Sequence, residues 1–442
     1  MEGHAQSVED SLIDSLSFKL RPGASYVTSR RSVTFFPQGG NDYKPNGVKV
    51  IKIGLNGDQW LDPGTVKLFF TLQNEESKVL TPKVPFPWVF FRRVRVLCGG
   101  QIVEDIDDYN RVHQQFHILR PSERRYCDSV EGFGISGDLT FNHSKHDESD
   151  SVAANGSRTV CFTPFVGLFR QEKFIPVRYA PIQLEFEVVN AATDAVYGNQ
   201  PAIEAYLGEN PIAAVDSSQT FIIQDVQLKC DLVDLDNTLD NEYTQYLMTG
   251  KSLPIHYTAI THSSQIFTNM KTDVHVSRSL TRLKSVFVTM FRKYAIRRAK
   301  KDAANDFWHP MDSPTGYNFE KELEIQVQIG SKLYPEYPIR SLAEAYYQLR
   351  KTISLHFGNE GMAIHSSAYR ADAFIAAIDL EKVLGAAFTG TNTMDGQLMI
   401  IRLKPANAST INLDPQSTHY LYYTLIYDAV LQINLAGVTV LE

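Results

Sequence analysis

The sequence predicts an all-β protein of two tandem β-barrels with short helices in the loops between strands, on three observations. Its 442 residues suit two domains of about 200 each, a size at which folding buries most of the chain's surface. Aromatic residues are plentiful, with 25 Phe and 21 Tyr, while 26 Gly and 20 Pro are scattered along the chain, as many short strands joined by turns require. One order of elements (strand, hairpin, helix, loop, strands, closing strand) occurs twice, with almost no residue identity between the two passages.

Residues 1–45 are polar, carry Lys19, Arg21, Arg30 and Arg31, show no sustained periodicity, and are expected to form an extended arm. Gly47–Leu55 then alternates apolar and cationic residues, and Val66–Leu72 follows after a Gly-Asp turn, so the two read as paired strands. In Val89–Leu97, Val94 and Val96 take one face and Arg93 and Arg95 the other. Gly99-Gly100 supplies the positive φ for a hairpin into Gln101–Glu104. Tyr109, Val112, Phe116 and Leu119 recur at helical spacing, predicting a short helix stopped by Pro121. Gly132–Ser157, with the charge run His146–Asp150, reads as an exposed loop. Strand signals resume in Gly167–Pro176, in Ile182–Val188 with its alternating Gln183, Glu185 and Glu187, and in Phe221–Val233.

The second passage runs through strands Leu283–Phe291 and Leu323–Gly330, the helix Ser341–Arg350, the strand Gln397–Leu403 and a final ribbon Tyr420–Leu441. Ser341 and Glu344 form a capping box at that helix's start. The expected organisation is an arm at 1–45, a first barrel at 46–236, a linker at 237–250 and a second barrel at 251–442.

A net charge of -7 does not describe a protein whose whole surface wraps nucleic acid, so any such contact must be local. The four cysteines stand far apart with no C-x-x-C pair and no secretory signal precedes them, which predicts free thiols and synthesis in a reducing cytoplasm. For the same reason Asn142, Asn155 and Asn407 read as chance N-x-S/T triplets. No run of some eighteen apolar residues predicts a transmembrane helix.

Several segments together resemble a known family. Leu61-Asp-Pro63, Phe90-Phe-Arg-Arg-Val-Arg-Val96 and Gly99-Gly-Gln-Ile-Val-Glu104 are similar to the first jelly roll of double jelly-roll major capsid proteins of small eukaryotic double-stranded DNA viruses: Polinton-like viruses, virophages and adintoviruses. Phe174-Ile-Pro-Val177 with Ile182–Phe186, Val226–Asp236 followed by Tyr243, and Tyr423–Val440 are similar to later strands and to the junction between barrels. The resemblance implies two tandem jelly rolls in one chain. It further implies a homotrimer with a pseudo-hexagonal footprint, trimers tiling an icosahedral virion shell around DNA, and penton and minor capsid proteins as neighbours. It implies a structural protein rather than an enzyme, with no cofactor. A chain this short implies small outward loops.

Competing constellations are weak. Gly132-Phe-Gly-Ile-Ser-Gly137 has the dinucleotide glycine pattern, but no helical period follows it. His113 and His117 lie four apart on a predicted helix without a third ligand, and a solvated helix face accounts for them better than a metal does. His143, His146 and Asp147 could likewise share a metal, with a solvated loop the favoured reading, and Asp105, Asp107 and Asp108 lack calcium-loop spacing and read as a polar turn. Glu185 and Glu187 share a strand face, so a two-domain β-sandwich carbohydrate-active or carbohydrate-binding protein is the alternative, although strand alternation accounts for both. A basic run, Arg292, Lys293, Arg297, Arg298, Lys300 and Lys301, could meet packaged DNA, an acidic patch on a neighbouring trimer, or solvent; Arg30 and Arg31 carry the same ambiguity. Trp60, Trp88, Phe307 and Trp308 are aromatic anchors for either core or interface.

Overall fold

The computed structural model describes residues 26–134, 151–196, 217–268, 271–294, 323–357, 369, 374–383, 388–394, 398–405 and 417–442. The first half contributes β1 (Val27–Phe35), β2 (Val50–Leu55), β3 (Trp60–Asn74), β4 (Phe91–Cys98), β5 (Gln101–Ile106), β6 (Ser157–Phe162), β7 (Ile175–Pro176), β8 (Ile182–Val188) and β9 (Phe221–Leu235). The second contributes β10 (Leu253–Phe267), β11 (Thr272–Val276), β12 (Leu283–Tyr294), β13 (Leu323–Ile329), β14 (Lys332–Ile339), β15 (Ala376–Asp379), β16 (Met399–Pro405), β17 (Ser417–Asn434) and β18 (Gly437–Leu441).

These strands form four antiparallel sheets, ordered β1-β9-β3-β6, β2-β8-β4-β5, β10-β17-β12-β15 and β11-β16-β13-β14. Leaving aside the two-residue β7 and the terminal β18, each half holds eight strands in one permutation. The first, eighth, third and sixth make one sheet, and the second, seventh, fourth and fifth make the other. That is the jelly-roll arrangement, present twice. The repeat read from the sequence is therefore topological, and it includes a helix after the fifth strand of each half, Tyr109–Ile118 and Leu342–Phe357.

Local chemistry explains the elements. β8 buries Ile182, Leu184, Phe186 and Val188 and leaves the intervening polar residues at the surface, as period two demands. Gly99 and Gly100 take φ of +55° and +83° at the turn between β4 and β5, and Gly330 takes +59° at the matching turn between β13 and β14. Helix Leu342–Phe357 begins with the Glu344 N–H donating to Ser341 Oγ and the Arg340 N–H donating to Glu344 Oε2, a capping box displaced by one residue.

Three expectations are corrected. Part of the arm is a strand: β1 pairs with β9 from Val27 to Phe35, the edge β9 offers overriding a sequence with little apolar pattern. Residues expected to be a linker form the helix Asn237–Met248, capped by Asp236, whose side chain accepts from the Thr238 N–H. The stretch Gly167–Pro176 is a 3-10 turn at Gly167–Arg170 with the short β7, because Gly167 must pass close to another backbone. Of the expected loop 132–157, Phe133 and Val152 are buried, Val152 bridging to Leu80, and residues 135–150 lie outside the described residues. All four cysteines are free. Among the described residues no helix is long and apolar enough to cross a membrane.

Candidate functional site: the seam between the barrels

The buried residues of both halves form one continuous cluster, and the place where they meet is built from β5, the turn Gly167–Arg170 and helix Tyr109–Ile118 on one side, and β10, β12 and β17 on the other. Glu104 is its centre. This side chain, 2 % exposed, accepts three backbone N–H groups. Gly167 N lies 3.1 Å from Oε1, Leu168 N 3.0 Å from Oε2, and Ile260 N, from the second barrel, 3.1 Å from Oε1. One carboxylate thus satisfies donors that no strand ladder reaches, and it ties three segments together. Burial outweighs those hydrogen bonds and pushes its pKa up to about 7.

Around Glu104 the two barrels approach at backbone distance. A Cβ on Gly167 would stand 1.9 Å from the carbonyl oxygen of Thr258, so only glycine fits. Tyr257 Oη donates to the Val103 carbonyl at 3.2 Å. Farther along, Phe116 meets Phe287 edge to face at 5.1 Å, and the Arg111 guanidinium lies 4.9 Å over the Tyr422 ring. Thr424 Oγ1 lies 3.4 Å from Gln115 Oε1, and His262 Nδ1 lies 2.8 Å from the same Thr424 hydroxyl.

Histidines expected on a solvated helix face are buried instead, His113 at 6 % and His117 at 2 % exposure. His113 stacks on Trp88 at 3.9 Å, Trp88 stacks on Phe86 at 4.5 Å, and His117 meets Phe86 edge to face. Helix Tyr109–Ile118 is wedged between its own barrel and the neighbouring one, so it has no free face for them. Desolvation pushes both pKa values well below the ordinary 6.5, helped by Arg120. Among the described residues no group of three His, Cys, Asp or Glu side chains could hold a metal.

The other singled-out residues fall elsewhere. Glu185 and Glu187 are ion-paired across the β2-β8-β4-β5 sheet, Glu185 with Arg95 and Lys52 at 3.2 Å each and Glu187 with Arg92 at 3.3 Å. Asp105 takes a two-pronged contact from Arg93, Asp107 binds Arg92, and Asp108 adopts φ +46° before helix Tyr109–Ile118. Arg30 on β1 contacts Asp62 and Asp231 at 2.8 Å each, which raises its pKa, and Arg31 beside it is exposed. Arg292 and Lys293 close β12 opposite His419 and Thr418. Arg297, Arg298, Lys300, Lys301, Phe307, Trp308, His143, His146 and Asp147 lie outside the described residues. Trp60 and Trp88 belong to the first barrel, Trp60 packing 5.1 Å from Tyr243. Gly132 follows a 3-10 turn and Phe133 is buried, so no helix opens on the described part of that glycine motif.

In the sequence Glu104 stands only as the last residue of the hairpin strand Gln101–Glu104. Alternation does not mark it as buried, because the strand is irregular there: Ile102 is 51 % exposed while Val103 and Glu104 are both buried.

No family model matches the sequence, and no curated protein matches it. Solved structures do. A chain of the Sputnik virophage superposes with a TM-score of 0.59 at 9% identity, covering 98% of this chain and 93% of that one. The Faustovirus major capsid protein gives 0.57 at 8% identity over 95% and 93%. A chain of the PBCV-1 virus capsid gives 0.55 at 11% identity over 96% and 98%. At such identities the shared property is architecture, and the fold of this chain is the double jelly roll of viral major capsid proteins.

Proposed function

We propose that the chain is the structural subunit of a virus capsid, a homotrimer whose copies tile an icosahedral shell around a DNA genome. The observation that carries this reading is an asymmetry between two sheets of one topology. In the second barrel β17 is buried on both faces from Leu421 to Val430, and helix Tyr109–Ile118 of the first barrel meets its outward face, Arg111 over Tyr422 and Gln115 beside Thr424. Its counterpart β9 alternates buried and part-exposed residues, with Gln227, Lys229 and Asp231 only half-buried.

The complementary elements of the second barrel are uncovered too. β14 exposes Leu333 and Tyr337, the latter at 82 %, and helix Leu342–Phe357 exposes Tyr347 at 65 %. Repeating the seam head to tail between copies would seat these side chains on the free sheet of the next chain, and such contacts close into rings. Pro335 and Pro338 in β14 block strand addition, which favours docking through side chains. Trimers would then meet neighbouring trimers and penton and minor capsid proteins in the virion after synthesis in the host cytoplasm. Arg30, Arg31, Arg292, Lys293, Arg297, Arg298, Lys300 and Lys301 are candidates for sequence-independent contact with packaged DNA or with a neighbouring capsomer.

Sedimentation and electron microscopy of the purified chain test this. A ring of three times the 49.9 kDa chain mass supports it. A species that stays monomeric at high concentration and binds an oligosaccharide overturns it in favour of a carbohydrate module.

A further inference from the structure

We propose that acid unseats helix Tyr109–Ile118 from the seam, with His113, His117 and His262 as the groups that respond. This rests on the capsid reading only for its biological use, as a route to shell opening in an acidic compartment; the chemistry belongs to the single chain.

The argument is geometric. Thr424 Oγ1 donates to Gln115 Oε1, so its oxygen is free to accept from His262 Nδ1–H. That hydrogen-bond chain assigns the proton of His262 to Nδ1 and leaves Nε2 as a bare lone pair. Nε2 of His262 is buried and, among the described residues, has no hydrogen-bond partner; the same holds for Nε2 of His117. A second proton on either ring would place an N–H where no described group accepts it and a positive charge in a desolvated layer. His113, stacked on Trp88 and 3.1 Å from Tyr109 Oη, would bring a third charge into the same layer.

Facing groups mostly oppose protonation. His117, Arg120 and Arg170 act on His113, Arg120 and Arg125 on His117, and Arg111 on His262. Two carboxylates act the other way. Asp107 favours the charged His262, and Asp128 Oδ2 lies 3.9 Å from His117 Nδ1 but is also held by Arg120 at 3.3 Å. Glu131 and Cys161 line the cavity shared by His113 and His117. His262 is held at about 3 by burial, and the other two are well below 6.5.

These are depressed values, so each histidine's contribution is complete above pH 6.5 and is lost as pH falls below it. Release to an ordinary imidazole favours opening by about 30-fold per histidine at pH 5. Glu104 is a counterweight. Its value is raised, so between pH 7.5 and 5 its protonation favours the closed seam by about 60-fold, leaving a net acid effect of about 450-fold.

Native-state hydrogen exchange of the full chain at pH 7.5 and pH 5.0, corrected for intrinsic rates, reads the opening directly. Protection in 109–118 and 257–262 should fall by about 450-fold at pH 5.0 while β3 and β9 stay protected. His262→Asn, which keeps a donor near Thr424, and His117→Phe, which keeps a ring against Phe86 and Trp88, should each remove about 30-fold of that fall. Variants that track the wild-type pH response overturn the proposal. Should a variant fail to fold, histidine 13Cε1 shifts of the wild type decide: rings charged at pH 6 with the seam still protected also overturn it. None of these outcomes bears on whether the chain forms trimers, which its sedimentation settles separately.

Discussion

The two barrels share one strand permutation yet treat the same sheet differently. In β9 the outward positions are Gln227, Lys229 and Asp231, a solvated face over a buried one. In β17 the outward positions include Tyr422, Thr424, Ile426 and Asp428, all buried, the first two against helix Tyr109–Ile118 of the first barrel and Asp428 against Phe388 and Lys284 of its own. Asp428 is satisfied there by the Phe388 N–H at 3.0 Å and by Lys284 at 3.4 Å, and Thr424 by Gln115 and His262. A sheet buried on both faces must answer every polar group from within the protein, whereas a half-buried one leaves that to water. Topology thus fixes which strands are neighbours, and the outward phase fixes whether a second layer can rest on them.

The sharpest way to break this comparison is to charge the uncovered surface of the second barrel. Tyr337→Asp combined with Tyr347→Asp should convert a trimer to monomers in sedimentation, while changing the thermal unfolding of the monomer by no more than about 0.5 kcal/mol. Retained trimers would mean that assembly uses another face. Within the chain, Gly167→Ala should cost the most, about 3 kcal/mol or more by urea unfolding, since its Cβ would collide with the Thr258 carbonyl and prise β10 away. Phe116→Ala should cost about 3 kcal/mol through the hole left against Phe287 and Phe165.

Glu104 sharpens the comparison further, because the sheet of β9 has no such tie described upon it. A carboxyl raised from 4.5 to about 7 contributes stability that is complete below pH 4.5 and is lost as pH rises through about 7. Glu104→Gln should therefore remove a component that falls by up to about 1.4 kcal/mol per pH unit between pH 5 and 7, so that its stability rises more steeply with pH than the wild type's there, seen in urea midpoints at several pH values. The smallest effect belongs to Arg30→Ala with Arg31→Ala: both side chains are exposed, so folding should be unchanged. Only the salt dependence of DNA binding, measured by titration, would reveal a role.

Much of this was legible in the sequence because it depends on local periodicity. The alternation of Ile182–Val188, the Gly99-Gly100 turn and the spacing of Tyr109, Val112 and Phe116 are short-range signals, and each element stands where they put it. β1 and the helix Asn237–Met248 are not legible there for the opposite reason. Residues 27–35 have little pattern of their own and take a strand from the edge of β9, and the helix is polar over most of its surface. The histidines illustrate the same limit, since a spacing of four says that two rings share a face and says nothing about what lies on it.

By itself the sequence determined the all-β class, the repeated order of elements and most strand faces, since these follow from side-chain alternation and turn chemistry within about ten residues. Only the tertiary structure decided that helix Tyr109–Ile118 is a wedge, that Gly167 is a contact point, and that Glu104 joins segments separated by 63 and 156 positions. Those are properties of two surfaces meeting, and the partners of a long-range contact are set by packing geometry that no local pattern encodes.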